Sequence, residues 1–150
     1  MADALTKSVT KKGLMCACFN VRKTARVITQ LYDEVLRPTG LRVTQFSLLM
    51  ATKGLGPVAV TRLAKMGVMD RTTLTRNLRP LEKQGFIRIA AGEDRRERQV
   101  TLTPRGQQAL AKAFPLWEKA QARVAEGFGP ERLQRLYTEL ADLRAVSRLN

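Results

Sequence analysis

The chain has 150 residues, 44% of them hydrophobic and 27% charged, which suits one packed domain with or without helical extensions. Lysine and arginine outnumber aspartate and glutamate 27 to 13, a formal net charge of +14. That excess favours a polyanion or an anionic surface as partner, with plain solubility as the alternative. No histidine is present, which removes most metal sites, the usual general base and every histidine-based triad. Cys16 and Cys18 are too few and too close for a disulfide framework. No apolar run approaches the ~20 residues of a membrane-spanning helix, and the polar N-terminus lacks a signal-peptide core. A cytoplasmic protein without membrane contact, metal or cofactor is expected.

Residues 1–12 read as a loose basic tail. From Leu14 to Arg37 a long helix is predicted, its apolar seam running through Leu14, Cys18, Val21, Ala25, Ile28, Tyr32 and Val35 at heptad-like spacing. Pro38 and Gly40 break it. A second helix covers about Thr44 to Lys53, with Phe46, Leu49 and Met50 inward, and Gly54-Leu55-Gly56-Pro57 closes it. Val60 to Met66 forms a short helix packed through Leu63, Ala64 and Met66, and Gly67-Val68-Met69 is a tight turn.

The next helix opens at Asp70, a natural N-cap, and stops at Gly85. Leu74, Leu78 and Leu81 make one buried stripe. The other faces carry Arg71, Thr72, Thr73, Thr75, Arg76, Asn77 and Arg79, with no carboxylate before Glu82. An ordinary solvated helix mixes both signs of charge; this one suits approach to a polyanion. Pro80 removes one helical hydrogen bond and should kink or tighten the helix.

Two short strands follow, Ile87 to Ala90 and Gln99 to Thr103, around an arginine-rich tip holding Asp94, Arg95, Arg96 and Arg98. Helix, turn, helix and hairpin together make a winged helix-turn-helix. Thr103-Pro104 starts a helix that runs to about Glu126, with a kink at Pro115 open. A last helix, Glu131 to Arg148, should bury Leu133, Leu136, Tyr137, Leu140, Leu143 and Val146. The fold class is mainly α with a small β-hairpin wing.

The stretch from Thr39 to Thr103 resembles the MarR family of bacterial transcription regulators. The matching residues are Gly40-Leu41-Arg42-Val43-Thr44-Gln45-Phe46, Arg71-Thr72-Thr73-Leu74-Thr75-Arg76, Leu81-Glu82-Lys83-Gln84-Gly85-Phe86-Ile87, and Asp94-x-Arg96 followed by Val100-Thr101-Leu102-Thr103. The flanking helices fit too. The resemblance implies a winged helix-turn-helix over 39–103 within a domain over 13–150, and a homodimer joined through 13–37 and 104–150. It implies two reading heads on palindromic double-stranded DNA, with Thr72, Thr73, Thr75 and Arg76 facing the major groove and Arg96 entering the minor groove. Effectors of the family are small aromatic or other anionic molecules. One position departs: the family's usual arginine four residues after the helix-ending glycine is Ile89 here, with Arg88 one residue early. Either the wing is one residue shorter or Asp94 pairs differently.

Physical chemistry asks for a similar assembly. The flanking helices have apolar seams with little globular body to cover them, and a two-fold dimer would bury both. It would set the two basic helices about one DNA turn apart, ~34 Å.

Arg71, Arg76 and Arg79 suit phosphate or guanine edges, and Arg95, Arg96 and Arg98 suit phosphate or a narrow minor groove. Cys18 lies on the apolar seam, and Cys16, two residues away on a helix, would diverge from it by about 200°. Cys18 matches the reactive cysteine of the peroxide-sensing OhrR branch of the family, and Tyr32 matches a tyrosine that hydrogen-bonds the thiol there. Arg22 and Val43 replace the branch's other tyrosines. A small buried apolar residue and a redox sensor beside Arg22, Lys23 and Arg26 are the two readings of Cys18. Trp117, with Phe114 and Leu116, suits a dimer core better than a ligand pocket. The reading is therefore a sequence-specific DNA-binding regulator, a repressor released by a small effector or by thiol oxidation. Its rival is a sequence-independent nucleic-acid binder. An enzyme is not expected, because neither cysteine has a general base.

Overall fold

The computed structural model describes residues 9–10, 12–92 and 96–146. Among the described residues six helices pack with a three-stranded antiparallel sheet, and residues 9–10 and 12–14 are also helical. The six are α1 (Ala17–Leu36), α2 (Val43–Leu55), α3 (Val60–Met66), α4 (Arg71–Lys83), α5 (Pro104–Phe128) and α6 (Pro130–Val146); the strands are β1 (Val58–Ala59), β2 (Ile87–Ala91) and β3 (Arg98–Leu102). A single 3-10 turn, Arg37–Thr39, links α1 to α2 and ends on Gly40 at φ 73°. The strand order is β1-β3-β2.

Each expected helix and both wing strands are present. β1 is an addition. Two residues are too short for a periodicity to announce, and they become a strand only by pairing, Val58 opposite Val100 and Ala59 opposite Gln99. In the wing, Ile87 faces Leu102, Ile89 faces Val100 and Ala91 faces Arg98. Neither proline interrupts its helix: Pro80 lies within α4 and Pro115 within α5.

The core gathers Leu36, Leu41, Phe46, Leu48, Leu49, Val58, Val60, Leu63, Leu74, Leu78, Leu81, Ile87, Val100 and Leu110. It lies under the sheet and between α2, α4 and α5. Trp117 joins it, with its ring stacked on Phe46 (centroids 5.7 Å) and tilted against Phe114. The expected dimer-core tryptophan is therefore a partly buried residue of the chain's own core. Met66, expected to pack, is exposed, because α3 is short and only Val60, Leu63 and Ala64 point inward.

The outer helices differ more from expectation. Along α1 only Tyr32 and Leu36 are buried. Along α6 only Leu133 is, while Tyr137, Leu143 and Val146 are exposed and Leu136 and Leu140 half-buried. The seams are present in sequence, but one chain offers nothing to cover them.

A polar clamp joins the wing to α5. The Thr103 hydroxyl donates to the Gly85 carbonyl (2.6 Å) and accepts from the Gly106 N–H (3.0 Å), while the Thr103 N–H donates to the Phe86 carbonyl (3.0 Å). Gly106 is buried in this clamp, and a Cβ there would lie 2.0 Å from the Phe86 carbonyl oxygen.

Two helices end in the same motif with different residues. At the end of α4, Phe86 N–H reaches the Leu81 carbonyl and Gly85 N–H the Glu82 carbonyl, with Gly85 at φ 72°. At the end of α3, Met69 N–H reaches Ala64 and Val68 N–H reaches Lys65. Both are Schellman caps, whose left-handed position glycine normally fills. In the second it is Val68, at φ 50°; Gly67 stands one residue too early.

Gly106→Ala should lose on the order of 3 kcal/mol of unfolding free energy, because the obstacle is backbone rather than a movable side chain. Val68→Gly should gain about 0.5–1 kcal/mol, relief of left-handed strain outweighing the added chain entropy. Urea denaturation of both variants beside the parent measures each.

Candidate nucleic-acid interface

The candidate surface is the outer face of α4. Its helix starts on Asp70, which accepts the Thr73 N–H (2.8 Å) on one carboxylate oxygen and the Thr73 hydroxyl (2.6 Å) on the other. These two bonds, the hydroxyl first, hold the Asp70 pKa below its ordinary value. Leu74, Leu78 and Leu81 are buried on the inner side. Arg71, Thr72, Thr75, Arg76 and Arg79 line an open hollow on the outer side. The first turn of α4 holds no acid, and no ion pair engages Arg71, Arg76 or Arg79 among the described residues.

The threonines divide. Thr72 and Thr75 are exposed. The Thr75 hydroxyl donates to the Arg71 carbonyl (2.8 Å), so its outward oxygen can still accept. Thr73, expected on the reading face, is half-buried and donates its hydroxyl to the cap, its oxygen still able to accept. Nothing in the residue string separates it from Thr72; only the N-cap geometry does.

A groove of about 380 Å³ runs between α4 and the wing, with Val60, Leu78 and Ile89 in its lining and Arg71, Arg79 and Arg98 beside them. Ile89 packs against the core opposite Val100, while Arg88 is exposed opposite Thr101. Arg98 lies with its guanidinium 3.5 Å from the Ile89 carbonyl oxygen. Arg96 is exposed in the turn before β3. Asp94 and Arg95 lie outside the described residues.

Sequence reading missed a neighbour of this surface. Arg42, Thr44 and Gln45, at the start of α2, line a hollow together with Arg76 and Asn77. They stand some thirty residues before α4 and become its neighbours only through the fold.

The cysteine reading needs correction. Cys16 is not in the helix with Cys18; it occupies the N-cap of α1 in extended backbone, φ −64° and ψ 120°. Helical divergence therefore does not describe the pair. Both thiols are free and exposed, so neither is packed in this chain's core. Tyr32 stands fourteen residues further along, about 21 Å of helix rise. Its hydroxyl donates to Gln121 on α5, whose amide donates to Tyr137 on α6 (2.8 Å). Within one chain, Tyr32 does not reach a cysteine. Burial, and secondarily Tyr137, push its pKa up, keeping it a neutral donor.

A model of the MarR family matches residues 39–97. The M. tuberculosis transcriptional regulator MosR, in a crystal structure with DNA, is 40% identical; the match covers 89% of this chain and 99% of that one, with a TM-score of 0.78. This chain belongs to the MarR family. Among curated relatives, the MarR-family chain is 32% identical over 83 residues to the HTH-type transcriptional regulator YwoH of Bacillus subtilis, 55% of this chain and 61% of YwoH. It is 32% identical over 90 residues to the HTH-type transcriptional regulator SarZ of Staphylococcus haemolyticus, 59% of this chain and 61% of SarZ. The matches to these two curated relatives thus span about three-fifths of their lengths.

The cap has a pH signature. A carboxylate whose folded pKa is depressed stabilises above its unfolded pKa and loses that contribution as pH falls through the folded one. Asp70→Asn keeps an acceptor but not the charge. The stability difference between parent and variant should be constant near neutrality and vanish in acid below the depressed pKa, as read from denaturation midpoints across a pH series.

Proposed function

We propose that this MarR-family protein is a sequence-specific double-stranded DNA-binding transcriptional regulator. It acts as a homodimer on palindromic DNA, and as a repressor that releases its operator on binding a small aromatic or anionic effector or on thiol oxidation. The observation that carries the reading is the outer face of α4, where three arginines without an ion pair among the described residues and two exposed threonines stand over a fully buried leucine stripe. Arginine fits guanine O6 and N7 or phosphate, and threonine fits base edges or the thymine methyl. MosR, crystallised with DNA, supports the same reading. A sequence-independent basic protein is less favoured, since it needs charge alone and not a mixed arginine–threonine face on a capped helix.

In this reading residues 39–103 are the DNA-binding region, with Arg71, Thr72, Thr75, Arg76 and Arg79 at the major groove and Asp94, Arg95, Arg96 and Arg98 on the wing. Thr73 contributes by holding the cap. Residues 13–37 and 104–150 join the dimer; the apolar side chains exposed on α1 and α6 support this, because a second copy would cover both. Val9, Thr10 and Lys12, expected in a loose tail, are helical, and the other residues of 1–12 lie outside the described residues. Cys16 and Cys18 are accessible thiols, and Arg22, Lys23 and Arg26 follow them along α1. The site of action is the cytoplasm, where the DNA lies; among the described residues no helix is long and apolar enough to cross a membrane.

The test is an anisotropy titration on the DNA upstream of the protein's own gene, beside a scrambled duplex of equal length, with and without peroxide. Tight binding to the first duplex alone is expected. Arg76→Ala should weaken it by about 1–3 kcal/mol, roughly 5- to 150-fold. Equal affinity for both duplexes, falling together with salt, would favour the charge-only alternative. Peroxide should release the DNA from the parent but not from Cys18→Ser; release from both would remove the cysteine from the mechanism.

A further inference from the structure

The helix α2 is capped by a residue of another helix. Its N-cap residue is Arg42, whose side chain is a donor and cannot accept an N–H. The Arg42 N–H is taken by Gln45 (2.9 Å), but the Val43 N–H goes to Asp33 of α1 (2.7 Å). The other Asp33 oxygen lies 3.9 Å from the Arg42 guanidinium. By contrast, α4 and α5 are capped by their own N-cap residues, Asp70 and Thr103. Local capping satisfies a helix end and leaves it free to turn. A cap from a neighbouring helix also fixes the angle between the two.

The residue beside Asp33 makes the opposite connection. Tyr32 donates to Gln121 of α5, which donates to Tyr137 of α6. Adjacent residues in the last turns of α1 therefore hold the outer helices on one side and the start of α2 on the other. Beside these, Phe46 stacked on Trp117 is apolar contact that tolerates sliding, and the Thr103 clamp ties the wing, not α2, to the start of α5. In the intervening turn the Thr39 hydroxyl donates to the Leu36 carbonyl (2.7 Å) and accepts the Leu41 N–H (3.2 Å), bonds that shape the turn itself but do not reach the first turn of α2.

We infer that Asp33 is a positioning residue that holds the α2 side of the reading head on the dimer-forming helices, and so narrows the half-site spacing that the protein accepts. The inference rests on the dimeric, two-headed reading proposed above. Losing the Asp33–Val43 bond would leave each head intact and widen the range of distances between the two.

The experiment uses a palindromic duplex selected by the full-length protein from a random pool, then remade with zero to four extra base pairs between its half-sites. Two added pairs turn the second half-site by about 70°. The parent protein should weaken at least about tenfold there. Asp33→Ala should flatten the profile to about threefold or less, with affinity for an isolated half-site unchanged. Val43→Pro tests the same bond from the other side. Proline suits the first helical position and lacks only the N–H that Asp33 accepts, so it carries the test if Asp33→Ala does not fold. It should flatten the profile equally, and Asp33→Asn, which still accepts, should restore much of the selectivity. Uniform weakening at every spacing, or an unchanged profile in both variants, overturns the inference and leaves the regulator reading standing. A parent protein indifferent to spacing overturns both.

Discussion

The structure depends on burial of the Leu74, Leu78 and Leu81 stripe. These three side chains are 0–1% exposed, worth about 1.5–3 kcal/mol each and roughly 5–9 together as an upper estimate. Against this stands the repulsion between neighbours such as Arg76 and Arg79, a few tenths of a kcal/mol per pair. Burial wins by an order of magnitude. α4 can therefore devote its outer face to cations and hydroxyls without help from carboxylates. The same arithmetic explains why its two ends are closed so carefully, by Asp70 at one and by Gly85 at the other. An exposed polar helix of thirteen residues would be marginal alone.

The wing and the long helix behind it are seated by polar contacts of shorter reach. Thr103 serves the end of β3, the turn after α4 and the first turn of α5 at once. The close approach of α5 to the Phe86 carbonyl leaves no room for a side chain, so Gly106 is required by distance and not by backbone angle. From this base the wing strands keep Ile87, Ile89 and Val100 toward the core and Arg88 toward solvent. Arg98 is thereby brought beside Arg71 and Arg79 of α4. Residues nearly thirty positions apart come to share one surface.

Much of this was legible in the residue order. Helical spacing, Asp70, Thr103-Pro104 and Gly85 are local signals, and the elements they mark fall within a few residues of where they were expected. The cationic face of α4 was equally visible, because one buried stripe determines which residues remain outside. What was not legible depended on partners distant in sequence. β1 exists through Val100, Trp117 is inside because Phe46 meets it, and Arg42 and Thr44 lie near Arg76 because α2 passes α4. Thr73 shows the limit within a single turn: its composition says reading face, while its hydroxyl belongs to the cap. Cys16 shows another, since a heptad seam extrapolates through a break that the backbone makes one residue before α1 begins. The seams of α1 and α6 are apolar in sequence, yet most of their side chains are exposed or half-buried in this chain.

Val68 bears on the local stability of the turn that leads into α4. A β-branched residue held in left-handed backbone gives the turn between α3 and α4 less local stability than the glycine-closed end of α4. Opening that cap releases strain, whereas opening the other would release none. The α3–α4 turn is thus the end of a helix at which backbone strain and a cap coincide. Amide exchange at Val68 and Met69 would report this opening directly, on a timescale separate from global unfolding.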